Sequence, residues 1–227
     1  RAPIEVIRLS ELRRREMEHD ISAPTRLDFH ALQFVIEGAG AHWVDFVRHS
    51  LKRGDILQVR SDQVHAFDAD SEHEALLLLF RPETVRPEPM RRLSMHLNAP
   101  FHLAGADFSA VTQLIEFIQN LERGNEEGRL SSMAPGLLDA IISGLDDLLV
   151  RDKVEIQGST HHRASELVFC FEKLLLVGSL RQPVSDYTSR LAVSQKTLAR
   201  ACHTVRGRSP KQLVDQHFAL AAKLNLI

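Results

Sequence analysis

The sequence predicts an α+β chain, with a small antiparallel barrel or jelly roll in front and helices behind. Three observations carry that reading. Up to Phe80, short apolar runs of strand length recur about every ten residues, separated by turn residues. Beyond about residue 100, apolar side chains recur every three or four positions, the period of a helix. The charge divides as well. From Thr160 onward there are ten Lys/Arg against four Asp/Glu, and before it eighteen against twenty-six.

The strand-like runs cover residues 4–7, 31–36, 42–47, 56–59 and 75–80. Turn signals at Glu37-Gly38, Arg53-Gly54-Asp55 and Arg60-Ser61-Asp62 part them. Residues 85–100, rich in Pro and Arg, read as a linker leaving the barrel. Phe108, Val111, Leu114, Ile115, Ile118 and Leu121 then form one helical stripe, ended by Gly124-Asn125. Leu137, Leu138, Ile141, Ile142, Leu145, Leu148 and Leu149 form a second, wider one, with more apolar surface than one neighbour covers. That surplus suggests a helix pair that also meets a second copy of the chain, giving a homodimer. Helices lying simply on the barrel would give the same stripe. Residues 151–160, polar and glycine-containing, read as a hinge. Ala164, Leu167, Val168, Phe171, Leu174 and Leu175 mark a helix beyond it. The expected domains are therefore 1–100, 101–158 and 159–227.

The last stretch is the most informative. Ser185 can cap a helix bearing Tyr187 and Leu191, Ala192-Val193 makes a tight corner, and Ser194 caps the next helix. There Leu198, Ala201, Cys202 and Val205 share one face, while Lys196, Ala199, Arg200 and His203 share the opposite one. Two basic side chains, one small residue and a histidine suit a surface entering the DNA major groove. Gly207 can end that helix in a left-handed conformation, and Ser209-Pro210-Lys211-Gln212 forms a capping box. Leu213, Val214, His217, Phe218, Ala221 and Leu224 line the helix that follows. No acidic residue lies between Tyr187 and Val214, the electrostatic footprint of a phosphate-binding surface. A generic three-helix subdomain with a solvated basic face shares these features.

These residues resemble a known family. The run Leu191-Ala192-Val193-Ser194 with Thr197-Leu198 and Arg200, then Gly207-Arg208-Ser209-Pro210, is similar to the first helix-turn-helix of AraC-type transcription regulators. The resemblance implies base reading by Lys196, Ala199 and Arg200 and phosphate contact near Ser194 and Gln195; His203 joins the expected DNA-binding face by its helical spacing. Thr188 and Ala192 depart from it, standing where the family usually has alanine and glycine. The family also has a second helix-turn-helix after the connecting helix, whereas this sequence ends at Ile227 within that helix. Weak DNA binding by the chain alone, or none, is the expectation. Phe29-His30 through Gly38, His42-Trp43, Gly54-Asp55-Ile56-Leu57 and Gln63-Val64-His65-Ala66-Phe67 resemble the cupin-type sensor domain of the same regulators. Arg60-Ser61-Asp62 departs from that family's turn.

The candidate ligand-binding residues inside the barrel are His30, Gln33, Trp43, His65 and Phe67, because polar and aromatic groups there can hold a small molecule. Arg26, with Arg8, Arg13, Arg14 and Arg15, could close over an anionic ligand. Twelve histidines raise the question of a metal, but His30 is followed at the second position by Leu32. Enzymatic cupins need a His-x-His pair with a glutamate and a later histidine, and beyond Glu37 and His65 no pair sits at ligand spacing. No catalytic residue, metal or cofactor is therefore expected.

The chain has 227 residues with 44% hydrophobic, enough to fill real cores. It has no run of about 18 apolar residues and no leader-like start, so a cytoplasmic protein without a membrane partner is expected. It opens on Arg1, which suggests a natural N-terminus lying upstream. Cys170 and Cys202 both fall on apolar helix faces, as buried thiols in a reducing compartment would.

The function these features favour is a ligand-responsive, sequence-specific DNA-binding transcription regulator. Its expected partners are double-stranded operator DNA, a small-molecule effector, a second copy of the chain and, for an activator, RNA polymerase. The alternative is a cupin-type metal-dependent enzyme, an isomerase or oxygenase with a helical accessory domain. A protein adaptor without DNA contact is a third reading.

Overall fold

The computed structural model describes residues 3–15, 21–45, 47–61, 63–97, 99–123, 131–156, 159–177 and 181–224. The chain divides into two compact units, Arg1–Asp147 and Leu148–Ile227. It is an α+β protein, with antiparallel sheets followed by helices, as the sequence predicts.

The first unit opens with β1 (Ile4–Arg8), α1 (Leu9–Arg15) and β2 (Thr25–Arg26). Next come β3 (His30–Glu37), β4 (Ala39–Val44), β5 (Val47–Lys52), β6 (Asp55–Val59), β7 (Val64–Phe67) and β8 (Glu74–Phe80). After α2 (Pro87–His96) and β9 (Phe101–His102) lie α3 (Gly105–Arg123) and α4 (Ala134–Ile156). The strands make two sheets, ordered β1-β8-β3-β6-β9 and β2-β7-β4-β5, antiparallel throughout. Strands β3, β6 and β8 are buried along almost their whole length, and this is why they read as largely apolar runs, interrupted by Gln33 in β3 and Gln58 in β6. The inward core gathers Ala31 and Val35 of β3, Leu57 and Val59 of β6, Leu77 and Leu79 of β8, with Val44, Leu51 and Phe67 from the other sheet. Leu12, Ile21 and Leu27 of the segment that follows β1 pack against it.

Strand β1 is an edge, and side chains of α3 cover it. The Val6 amide donates to Glu122 Oε2 at 3.0 Å, and Gln119 Nε2 donates to the Val6 carbonyl at 3.2 Å. Burial raises the Glu122 carboxyl pKa, although the Val6 amide opposes it.

Four sequence expectations change here. The expected strand at 42–47 straddles a hairpin: β4 ends at Val44, and Asp45 turns with φ of 47°. The chain then re-enters as β5, with Val44 opposite Val47. The Asp45 carboxylate secures this turn by accepting from Val64 N at 3.1 Å and Gln63 Nε2 at 2.8 Å. The expected linker at 85–100 contains α2, which starts on a proline and buries Met90 and Leu93. The expected hinge at 151–160 is helical through Ile156 and again from Ser159, with Gln157 and Gly158 outside the described residues. Gly124-Asn125, the expected end of α3, also lies outside them. Finally, Cys170 is exposed; only Cys202 is buried, and both are free thiols.

In the second unit α5 (Ser159–Val177), α6 (Val184–Arg190), α7 (Gln195–Arg206) and α8 (Pro210–Leu224) pack around one apolar cluster. It holds Val168, Phe171, Leu175, Tyr187, Leu198, Ala201, Cys202 and Val214. Helix α6 starts one residue earlier than Ser185 suggests, with Pro183 at the N-cap and no side-chain cap. Ser185 sits in the first turn instead, its carbonyl accepting from Thr188 Oγ1 and Ser189 Oγ.

Candidate functional site

In the second unit the caps fix α7. Ser194 Oγ accepts from Thr197 N at 3.1 Å, and Gly207 closes the helix with φ of 64°. Ser209 and Gln212 form the reciprocal capping box of α8, at 2.8 and 3.3 Å. Arg206 of α7 grips Glu172 of α5 through both carboxylate oxygens, at 2.7 and 2.6 Å. Leu198, Ala201 and Cys202 turn inward. Burial, reinforced by nearby Glu172, pushes the Cys202 thiol up to about 12, so it stays a protonated packing group. Ser194, Gln195, Lys196, Ala199, Arg200 and His203 are all exposed. Among the described residues Lys196 and Arg200 have no hydrogen-bond or ion-pair partner, so both heads remain available to an external ligand.

In the first unit the two sheets enclose a chain of polar groups. Gln33 of β3 lies in register between Leu57 and Leu77. Its Nε2 is 2.7 Å from His73 Nε2, and its Oε1 is 2.7 Å from His42 Nδ1. His42 Nε2 is in turn 2.9 Å from His65 Nδ1. Gln33, His42 and His73 are 1%, 2% and 0% exposed, whereas His65 is only half-buried. Phe67 packs against both histidine rings, with centroids 4.3 Å from His42 and 5.8 Å from His65. Burial keeps the three imidazoles neutral: His42 falls well below its ordinary pKa, His65 to about 4, and His73 also falls, with Arg13 adding to the effect.

Of the expected ligand-binding residues the structure joins Gln33, His65 and Phe67 and separates three others. His30 shares the alternation of Leu32 and Phe34, the face opposite Gln33. It rests against Phe80 and accepts from Ser61 N at its Nδ1. Trp43 points outward, 38% exposed, because His42 and Val44 hold the inward positions of β4. Arg26 is exposed on the short β2. The neighbouring arginines are occupied: Arg8 pairs with Glu116, Arg15 with Glu5 and Glu11, and Arg13 donates to the Ser71 and His73 carbonyls. Sequence reasoning missed His42 and His73. The parity of His42 with Val44 was a usable signal, but nothing in the sequence marks His73, which precedes β8. Among the described residues no group of three or more His, Cys, Asp or Glu could hold a metal.

The family model for the AraC-like ligand binding domain matches residues 9–141, which is most of the first unit and more than half of the chain. The chain belongs to this family. The AraC-like match thus spans α1, strands β2 to β9, α2, α3 and the first part of α4, including every member of the His–Gln relay. No curated protein matches the chain by sequence. The solved structures to which the chain is similar include the following two. ToxT from Vibrio cholerae is 9% identical, covering 97% of this chain and 81% of that one with a TM-score of 0.42. The AraC-like transcriptional activator CuxR is 15% identical, covering 97% and 73% with a TM-score of 0.30. No helix among the described residues is long and apolar enough to cross a membrane.

Proposed function

We propose that the chain is a ligand-responsive transcription regulator that senses a small molecule in its barrel and reads operator DNA with α7. The observation that carries the reading is the division of α7 into a buried apolar face and an exposed face of Gln195, Lys196, Ala199, Arg200 and His203. Family membership supports the sensing half. The surrounding run without acidic residues supports attraction to phosphate. Effector binding would favour one arrangement of the protein over another and so change operator occupancy.

The test is selection of bound sequences from a random DNA library, followed by titration of the best site. Arg200→Ala should weaken that site by about 1–3 kcal/mol and relax one base position, if the arginine makes a bidentate base contact. Lys196→Ala should weaken it less. An equal loss on all sequences would assign Lys196 to phosphate. An unchanged sequence preference in Arg200→Ala would remove α7 from base reading.

The reading includes a homodimer, with α3 as its surface. Leu138, Ile141, Ile142 and Leu145 of the wide stripe are already buried, whereas Leu114 and Phe117 of α3 are 40% and 43% exposed. Phe117→Glu should then leave a folded monomer by light scattering.

A further inference from the structure

The relay His73–Gln33–His42–His65 is saturated in its middle and open at its ends. His65 Nε2 and His73 Nδ1 are shielded from solvent and have no hydrogen-bond partner. A buried nitrogen without a partner loses its hydration for nothing in return, so each end calls for an explanation. The two ends are not independent. With the Gln33 amide as placed, its Nε2 donates to His73 Nε2 and its Oε1 accepts from His42 Nδ1–H. A neutral imidazole carries one proton, so His42 Nε2 must accept from His65 Nδ1–H. His65 Nε2 is then a bare acceptor and His73 Nδ1–H a bare donor. Exchanging the amide oxygen and nitrogen reverses every bond, turning His65 Nε2 into a donor and His73 Nδ1 into an acceptor.

The two ends differ in access. His73 Nδ1 fits against Gly40, where an added Cβ would stand 2.2 Å from it, so no other group can enter there. His65 is the member of the relay that is not fully buried. His65 Nε2 is itself shielded, so a ligand held inside the barrel, rather than one at its surface, meets the relay there. Most of the groups in register with it are apolar: Leu57 and Leu77 flank Gln33, Phe67 lies opposite His42, and Val44 lies opposite His65, while Thr25 on the other side of His65 and His49 on the other side of His42 are polar neighbours. The charged groups beside His73 are engaged elsewhere. Arg13 serves backbone carbonyls, and Glu74 accepts from Ser10 N and Ala75 N. A carboxylate brought here would lose its water against neutral rings and aliphatic walls, the cation on the strand paired beside His65 among the described residues being Arg26, whose side chain is exposed on β2.

We propose that the barrel takes an uncharged, largely apolar molecule whose hydroxyl completes the relay at His65 Nε2. A hydroxyl both donates and accepts, so it matches either direction of the chain. The direction it selects is passed through Gln33 to His73, beside Gly40 and the α1 residue Arg13. The proposal deepens the ligand-sensor reading and rests on it.

The test uses the whole chain with three probes of one shape: phenol, toluene and benzoate. Phenol should move the ring-nitrogen resonances of His65, with smaller changes at His42 and His73, in two-bond proton–nitrogen spectra. Toluene should bind at least about threefold more weakly than phenol for want of one hydrogen bond, and benzoate should not compete. His65→Phe should lower phenol affinity about three- to tenfold and leave toluene affinity unchanged; a merely damaged fold would lower both. Equal binding of phenol and toluene, binding by benzoate, resonances that stay fixed, or no binding of any probe would each overturn the proposal. A thermal-shift screen with sugars and organic acids separates the two readings. A hit there after phenol fails keeps the sensor and discards the hydroxyl site.

Discussion

Lys196 and Arg200 stand in solvent on a helix whose other side is apolar, while Gln33, His42 and His73 are sealed between two sheets. The helical unit buries mainly apolar side chains, with Tyr187 and the Cys202 thiol among them, and displays its basic groups; the barrel buries its histidines and glutamine. Stability and function are therefore separable in the first case and entangled in the second. Removing an exposed arginine from α7 should leave the fold intact, whereas removing a relay member leaves a buried partner unsatisfied.

The largest effect that would break this comparison is a core deletion in the helical unit. Phe171 is fully buried and meets Tyr187 edge-on at 5.4 Å. Phe171→Ala should cost about 3–5 kcal/mol of that unit's stability, measured by denaturant unfolding. Arg200→Ala should stay within about 0.5 kcal/mol of the parent. Similar losses from both would show that the exposed face is structural.

Acid should separate the units next. His65 is held near 4 in the folded barrel and is ordinary when unfolded, so between those values the unfolded chain binds more protons. The stability it contributes is complete above about pH 6.5 and is lost as pH falls toward 4. The loss is about 3 kcal/mol from His65 alone, with His42 and His73 acting in the same direction. Thermal unfolding between pH 7 and 4 should show the barrel's transition moving down more than the helical one. A helical transition that falls equally would refute the assignment.

That contrast also decides what was legible beforehand. In α7 a period of 3.6 separates Leu198, Ala201 and Cys202 from Lys196, Ala199 and Arg200 whatever the neighbours are. The capping residues Ser194, Gly207 and Ser209 mark its boundaries locally. In the barrel the period is 2, and a shift of one residue exchanges the faces. His30 has the opposite parity to Gln33, and Trp43 the opposite parity to His42, so residue type alone does not tell which of each pair faces inward. The hairpin at Asp45 was hidden because Val44 and Val47 flank it without a glycine. His73 entered the relay through a non-local contact with Gln33, forty positions away in sequence. No local pattern encodes such a pair. The closing of α2 over Met90 and Leu93 was masked by prolines that read as a linker but serve as a helix start.

A middle-sized effect would sharpen the account of α7. Arg206 and Glu172 are each less than one-fifth exposed and form a two-pronged pair between α7 and α5. Glu172→Ala leaves the guanidinium half-desolvated without its partner and should cost about 2 kcal/mol, after discounting for the solvent that still reaches it. Glu172→Gln should recover part of that by accepting one hydrogen bond. If neither variant changes stability, the apolar contacts alone orient α7.

The smallest expected effect concerns the corner before α7. Leu191, Ala192 and Val193 complete a Schellman motif: Ala192 N donates to Ser189 O at 3.2 Å, and Val193 N donates to Thr188 O at 3.1 Å. Its left-handed position, usually glycine, is held by Ala192 with φ of 53°. An alanine Cβ is strained there, while a glycine would lose more freedom on folding, and the first term is the larger. Ala192→Gly should therefore stabilise the helical unit by about 0.5–1 kcal/mol, raising its melting temperature by a few degrees. Gly207 supplies the opposite experiment. It has φ of 64° and nothing within 4 Å of an added Cβ, so Gly207→Ala changes backbone preference without a clash. It should cost about what Ala192→Gly gains. Opposite signs at the two corners would show that left-handed backbone strain, not packing, sets the difference; a loss at both would mean the Ala192 methyl makes a contact worth more than the strain it bears.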